Sequence, residues 1–382
     1  GRNIALFPEG RSSLDGRQSY YLNPSIGKLV KFLECTVAVV ETHGVYATKP
    51  RYVKGFRKGR IEAKARVLIT KEEIKTLKPA EIYERIRDSL VFNDNVWQQE
   101  NHVEFKAKEL ASNLNYILYK CPKCGAEYEN EASGDKLRCR ACGNTVTYTP
   151  DGHLVAEGDG ASIDRIDLWM DYERESVREE IEKDEEFRIA KPVIMYKRND
   201  EVHKYVKEGE GEFFISKDAI GYLGTRNGAE WRTELPIANM PAIVTKNSEG
   251  IDLILDNKTY RFEFIEKKYS TKFGIVVEVM FAKRHGILKK RLHNAGKPKG
   301  FWGAVTLGNM NKEHALLTDG GLSKIDVKPD AVCLDIGCGG GRTLSKLSAL
   351  APKGKIYGID ISRTSVRCAK NYNIKDVTSE KM

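Results

Sequence analysis

Ala331-Val332-Cys333-Leu334-Asp335-Ile336-Gly337-Cys338-Gly339-Gly340-Gly341 is an apolar run that closes on an acid and then breaks into glycine. Residues 331–336 have the length and side chains of a buried strand, and the glycines permit a tight turn into a helix expected from about Arg342 to Leu350. A second strand, Lys355 to Ile359, ends in Asp360. Together they make a βαβ unit. Its glycine turn lets the backbone pass close to a nucleoside, and an acid ending the next strand can accept both ribose hydroxyls. A nicotinamide dehydrogenase uses a glycine turn of the same kind, so the turn alone leaves two cofactor classes open.

The acid before the first glycine separates them. Asp335-x-Gly337-x-Gly339-x-Gly341 resembles motif I of the class I S-adenosylmethionine-dependent methyltransferases, with Asp360 in the position of their ribose-binding acid. The resemblance implies a Rossmann-like fold and S-adenosylmethionine as cofactor, held at Asp335, Gly337, Gly339, Gly341 and Asp360. It covers residues 301–382, only the opening part of such a domain, with residues 301–322 supplying helices before the first strand. The loops that hold the methyl acceptor are expected beyond Met382. Cys333 and Cys338 read as packing residues.

Upstream, the chain carries eight cysteines, four of them in Cys121-Pro122-Lys123-Cys124 and Cys139-Arg140-Ala141-Cys142. The pairs are separated by fourteen residues, and Gly125 and Gly143 each follow the second Cys of a pair. Such pairs make knuckles in which glycine lets the chain turn so that backbone amides face the sulfurs. Four thiolates then close a tetrahedral shell with no position left for water, which is a structural zinc site. A rubredoxin-like iron site or two disulfides are the alternatives. A metal would fold a ribbon too small for its own core.

At the other end, Phe7-Pro8-Glu9-Gly10-Arg11-Ser12-Ser13 follows a short apolar strand, Ile4 to Phe7, and Pro8 and Gly10 turn it into a loop. A guanidinium beside a carboxylate and hydroxyls suits a polyol phosphate. The run resembles the Phe-Pro-Glu-Gly-Thr-Arg-Ser block of the glycerol-phosphate and lysophosphatidic acid acyltransferase family. Thr36 to Val40 stands where that family has its next apolar strand, and Ser25 would cap the intervening helix. The resemblance implies that Glu9, Gly10, Arg11 and Ser12 bind the acceptor, with acyl-CoA or acyl-carrier protein as donor and a lysophospholipid as acceptor. The family places its Arg two positions after the Gly, whereas Arg11 follows Gly10 directly. Its catalytic His-x4-Asp block lies upstream of this loop and is not in this chain. His314 and Asp319 have the spacing in the wrong order along the chain and read as coincidence. No catalytic residue is therefore assigned, this chain alone is expected to be inactive in acyl transfer, and it reads as cut at both ends.

With 41% hydrophobic and 31% charged residues the chain is globular, and no apolar run approaches the ~20 residues that span a bilayer. The formal charge is +9 and uneven. Lys49, Arg51, Lys54, Arg57, Lys58, Arg60, Lys64 and Arg66 face one acid, Glu62, with Tyr52 and Phe56 interleaved. That stretch is read as contact with an anionic membrane surface, placing the protein in the cytoplasm, peripheral on the inner face of the membrane. No nucleic-acid recognition motif accompanies it.

Between these landmarks, Thr70 to Glu73 forms a capping box, and a helix is expected from Phe105 to about Leu118. An acidic helix from Ser162 to about Phe187 would bury Ile166, Trp169, Val177 and Ile181 and otherwise serve as a solvated connector. Alternating segments then recur at 193–196, 202–207, 212–216, 220–223, 242–245, 251–255 and 258–264, before a helix at about 270–283. Seven strands and one helix match the pattern of pleckstrin-homology-like (PH-like) small barrels, for headgroup binding, protein binding or structure alone.

The expected fold class is multidomain α/β. It comprises a partial acyltransferase α/β domain (1–118), a four-cysteine zinc ribbon (119–150), a linker helix (151–190), a PH-like β-barrel (191–288), a basic linker (289–300) and a partial Rossmann-like methyltransferase domain (301–382). The function expected is phospholipid-biosynthesis acyl transfer fused to the cofactor-binding start of a methyltransferase. The alternatives are two adjacent genes joined by read-through, or a non-enzymatic membrane-surface adaptor built on the ribbon and the barrel.

Overall fold

The computed structural model describes residues 3–18, 21–199, 201–246, 249–285, 318–319, 322–373 and 376–377, in two units, Gly1–Arg284 and His285–Met382. His314, the linker at 289–300 and most of the helices expected at 301–322 lie outside the described residues.

In the first unit, residues 4–7 form no strand, and Ile4, Leu6 and Phe7 are exposed. An isolated apolar run becomes a strand only where a ladder receives it, and among the described residues none pairs with 4–7. Helix α1 (Ser25–Leu33) is capped from Asn23 rather than by Ser25, the Ser25 amide donating to Asn23 Oδ1 at 3.0 Å. Strand β1 (Val37–His43), which includes most of the expected 36–40 strand, leads to helix α2 (Val45–Thr48). It pairs antiparallel with β2 (Glu62–Ile69). Helices α3 (Lys71–Thr76) and α4 (Pro79–Ser89) follow, α3 opening on the expected capping box between Thr70 and Glu73. Gly27 explains how α1 and α4 cross. A Cβ there would sit 2.1 Å from the Pro79 carbonyl oxygen, so only glycine allows the approach that buries Val30, Ile69, Ile74, Ile82 and Ile86 together.

After helix α5 (Asp94–Glu100), the helix expected at 105–118 shrinks to a single turn at Leu114–Tyr116. Tertiary pairing overrides the local pattern here. Lys106 exchanges backbone hydrogen bonds with Lys58 at 2.8 and 2.9 Å, and the Phe105 amide donates to Pro150 O at 2.8 Å. Leu110, Leu114 and Leu118 enter the core from this largely irregular segment.

Four short strands, β3 (Asn130–Ser133), β4 (Lys136–Cys139), β5 (Thr145–Tyr148) and β6 (Leu154–Ala156), make an antiparallel sheet in sequence order. Helix α6 (Ile166–Lys183) buries Ile166, Trp169, Val177 and Ile181 as expected, and also Met170 and Glu173. It does more than connect. The Trp169 indole donates to Lys120 O at 2.9 Å, and the helix face lies in the same hydrophobic cluster as the cysteine ribbon and the larger sheet.

That larger sheet has seven antiparallel strands in the order β10-β9-β8-β7-β13-β12-β11. They are β7 (Arg188–Asn199), β8 (Lys204–Ser216), β9 (Ala219–Arg226), β10 (Ala229–Pro236), β11 (Val244–Lys246), β12 (Gly250–Leu255) and β13 (Lys258–Phe264). Among the described residues the ladder does not close, so the expected barrel is corrected to an open sheet. It is nonetheless rolled. Trp231 on β10 and Tyr260 on β13 stand 5.8 Å apart between ring centroids, although three strands separate them in a ladder with ~4.8 Å spacing. Helix α7 (Ser270–Arg284) packs against the sheet, buried from Ser270 to Phe281, with Phe273 against Phe213 and Phe264. Where β10 faces β13 the roll is filled by the Trp231 and Tyr260 rings, and the ladder stops at β11, an edge strand of three residues that offers little backbone to close on.

In the second unit, β14 (Val332–Ile336) and β15 (Lys355–Ile359) run parallel, joined by α8 (Arg342–Leu350) and followed by α9 (Arg363–Tyr372). This is the βαβ unit expected from the glycine turn. One sheet face packs Ile356 against Leu344 and Leu347, while Val332, Leu334 and Ile336 are exposed on the other.

Candidate functional site

The ribbon brings its four cysteines together from two knuckles. In the first, the Gly125 amide donates to Cys121 O at 2.9 Å and the Cys121 amide to Ala126 O at 2.9 Å. The second repeats this, from Gly143 to Cys139 O at 2.9 Å and from Cys139 to Asn144 O at 2.8 Å. Gly125 and Gly143 have φ of 74° and 75°, so the turn itself requires glycine. Amides of Lys123 and Cys124 reach the Cys121 sulfur, and those of Ala141 and Cys142 the Cys139 sulfur.

The four sulfurs lie within 4.8 Å of one another, with Cys121–Cys142 at 3.8 Å and Cys124–Cys139 at 3.9 Å. A zinc ion bound at ~2.3 Å to four sulfurs requires tetrahedral edges of about 3.8 Å. The set fits a four-thiolate metal site, and all eight cysteines are free of disulfides. Without metal, burial pushes the Cys121 and Cys139 thiols up, Cys139 to about 12, whereas the Asn144 amide lowers Cys142. A metal therefore has protons to displace, and its affinity falls as pH falls.

In the second unit the glycine turn runs directly out of β14. Gly337, Gly339 and Gly341 have φ of 81°, 52° and 87°, and the Gly337 amide donates to Ile359 O at 2.8 Å. A Cβ at Gly337 would meet nothing within 4 Å, whereas one at Gly341 would lie 2.6 Å from Ala369 Cα. One glycine leaves room above the turn; the other lets α8 pack on α9. Asp360 ends the neighbouring strand and accepts from the Gly339 amide at 3.1 Å and the Ser362 amide at 2.8 Å, one on each oxygen. A carboxylate offers about four acceptor sites, so a vicinal diol can still be received by both oxygens. Burial, and then the charge of Asp360, raise the pKa of Asp335. All five expected cofactor residues thus gather at one strand-end turn.

The N-terminal loop is less simple. The Gly10 amide closes the expected turn on Phe7 O at 3.0 Å, and Gly10 and Ser12 are exposed while Glu9 is half-buried. Arg11, however, is in an ion pair with Glu278 of α7 at 2.6 Å. Glu278 also meets Arg174 at 3.4 Å, and Arg174 meets Asp15 at 2.9 Å, beside Arg17, which is bound to Asp15 and Asp171 at 2.8 Å each. Arg51 joins from a separate loop, donating to Thr245 O and to Ser12 O at 3.4 Å. No local spacing announces this network, because its members come from distant segments.

The basic stretch divides as well. Arg57 is buried, Arg60 pairs with Glu62 at 3.2 Å, and Arg66 pairs with Glu41 at 2.6 Å. Lys49, Lys54, Lys58 and Lys64 are exposed. One pairing escaped the sequence altogether: His43 stacks on Trp97 at 5.3 Å with its Nδ1 3.6 Å from Asp94 Oδ1.

A family described as a methyltransferase domain matches residues 327–380. The match spans β14, the glycine turn, α8, β15 and α9, and it supports a methyltransferase portion at this end of the chain, with S-adenosylmethionine as its cofactor. No curated protein matches the chain. Among the described residues no helix is long and apolar enough to cross a membrane.

Proposed function

We propose that Asp335, Gly337, Gly339, Gly341 and Asp360 hold S-adenosylmethionine as the start of a class I methyltransferase site, and that Cys121, Cys124, Cys139 and Cys142 hold a structural zinc. The observation that carries the first reading is Asp360, tethered by two amides beside a glycine turn with open space at Gly337. The cofactor supplies an electrophilic methyl group; the chain supplies a carboxylate for its ribose and a backbone able to approach it. Val332, Leu334 and Ile336 are exposed, so among the described residues nothing packs on one face of this two-stranded sheet, and affinity in this chain should be weak. Amide chemical shifts at the glycine turn, followed by NMR while titrating S-adenosylmethionine or NAD, test the reading. Larger shifts with S-adenosylmethionine, lost in Asp360→Ala, are expected. Preference for NAD, or indifference to the substitution, would overturn it.

For residues 1–118 we infer the acceptor side of a glycerol-phosphate or lysophosphatidate acyltransferase. Its support is the pair Arg11 and Arg51: burial, and then Arg11's charge, push the Arg51 guanidinium down, and a phosphate dianion between them relieves that repulsion. Glycerol phosphate would have to draw Arg11 from Glu278, so binding should tighten in Glu278→Gln and weaken in Arg11→Ala. Glycerol phosphate that binds equally to both variants would remove this reading. For 191–288, seven antiparallel strands followed by a helix are what supports a PH-like reading, with an open sheet in place of the expected barrel.

A further inference from the structure

We propose that the turn carrying Phe56 is a docking wedge for an anionic lipid surface. The inference rests on none of the readings above, since its residues take part in none of those sites.

Phe56 is 72% exposed between Gly55 and Gly59. The Lys49 ammonium lies over its ring at 4.4 Å from the centroid, and Lys54 and Lys58 are exposed on either side of it in the chain. Lys106, also exposed, sits opposite Lys58 across an isolated β-bridge, paired with Glu104 at 2.7 Å. Arg57, the next residue after the phenylalanine, points the other way and is only 2% exposed. It donates to Leu110 O at 2.7 Å and to the Tyr52 hydroxyl at 3.2 Å, and its guanidinium lies 5.2 Å from the Tyr148 ring centroid. Its amide donates to Thr48 O at 2.7 Å. A buried arginine thus staples the turn to the core, and Phe56 is held outward.

An apolar ring displayed among lysine ammoniums matches the order of groups at a membrane surface. The ring enters the boundary between headgroups and acyl chains, and the cations remain at the phosphates. Lys49 covers one face of the ring and leaves the other to a base, so nucleic acid is an outcome that the test separates from lipid. The acids near the turn do not cancel its charge: Glu104 is taken by Lys106, and Glu62 by Arg60.

The test is co-sedimentation of the full chain with vesicles of phosphatidylcholine, alone or with roughly one-third phosphatidylglycerol. Binding is expected only with the anionic lipid and should weaken at high salt. Lys54→Ala with Lys58→Ala should reduce partitioning roughly 25-fold, each near-surface cation being worth ~1 kcal/mol. Phe56→Ser should reduce it about tenfold at every salt concentration, since the ring acts through burial rather than charge. All three side chains are exposed, so circular dichroism should not change, which separates lost docking from lost folding. Equal binding to neutral vesicles, or wild-type partitioning in either variant, would overturn the proposal. So would retention on DNA that these substitutions abolish, without any vesicle binding.

Discussion

Two buried carboxyls in the first unit answer pH in opposite directions. Burial raises Asp15, but the charges of Arg17 and then Arg174 win and hold it well below the usual carboxylate range. A depressed carboxylate contributes stability that is present above the unfolded value of ~3.9 and is lost only as pH falls through the lower folded value. Asp15 should therefore add no pH dependence between about pH 5 and pH 8. Asp15→Asn, which strips two arginines of a shared partner, should cost about 3–5 kcal/mol by urea titration at neutral pH. Glu173 is the contrary case. It is 0% exposed and accepts the Lys120 amide on one oxygen at 3.0 Å, and burial lifts its carboxyl well above the ordinary range. Its contribution is intact below the unfolded value of ~4.3 and declines as pH rises toward the folded one. Glu173→Gln keeps the acceptor for Lys120 and removes the ionisation, so it should raise Tm more at about pH 8 than at about pH 5. A melting scan at both values checks the sign.

At the scale of elements, the knuckles and the strands show what glycine means in a sequence. Gly125 and Gly143 lie in the left-handed region with no neighbour near the position of a Cβ. Alanine there should strain the backbone by roughly 1–2 kcal/mol and weaken zinc without preventing its binding, whereas Cys124→Ser should release it. Metal analysis after gel filtration distinguishes the two, and hydrogen exchange should show β3–β6 loosening when a chelator removes the metal. The cysteines could be read directly because the site is local: pair spacing and a following glycine specify the geometry. Gly209 and Gly211 were harder. Between alternating segments they look like a turn, yet both sit inside β8, where Cβ atoms would lie 1.8 Å from Thr225 O and 2.2 Å from Leu223 O. They permit close strand approach. Two expected strands are consequently one, and the missing seventh is β10, whose Ala-Glu-Trp-Arg-Thr-Glu-Leu-Pro carries too many charges to announce itself.

Over the whole molecule, what the sequence disclosed follows the range of the interactions. The glycine turn with Asp360, the capping box at Thr70 and the buried stripe of α6 each depend on neighbours in one short segment, and each stands where expected. The ion pair of Arg11 could not be read from its own segment, because its partner Glu278 lies 267 residues away. The helix expected at 105–118 failed for a related reason, since Lys58, Gly134 and Pro150, all distant in sequence, take its backbone groups. Short-range chemistry can be read along the chain; the competition for partners cannot.

Helix α7 has a consequence for biosynthesis. It is the last described element of the first unit, yet Phe273, Ile275, Val276, Val277 and Met280 lie at the centre of that unit's core. A ribosome adding ~5–20 residues per second needs roughly 5–20 s to pass from Arg188, where the sheet begins, to Arg284, and until then the strands emerging ahead of α7 have no helix to close on. The nascent chain must hold an apolar sheet open for that interval, which invites chaperone capture. A chain ended after Tyr269 should be digested rapidly by protease, while one ended after His285 should resist. If both resist alike, the core forms without its central helix and the order of synthesis imposes no wait.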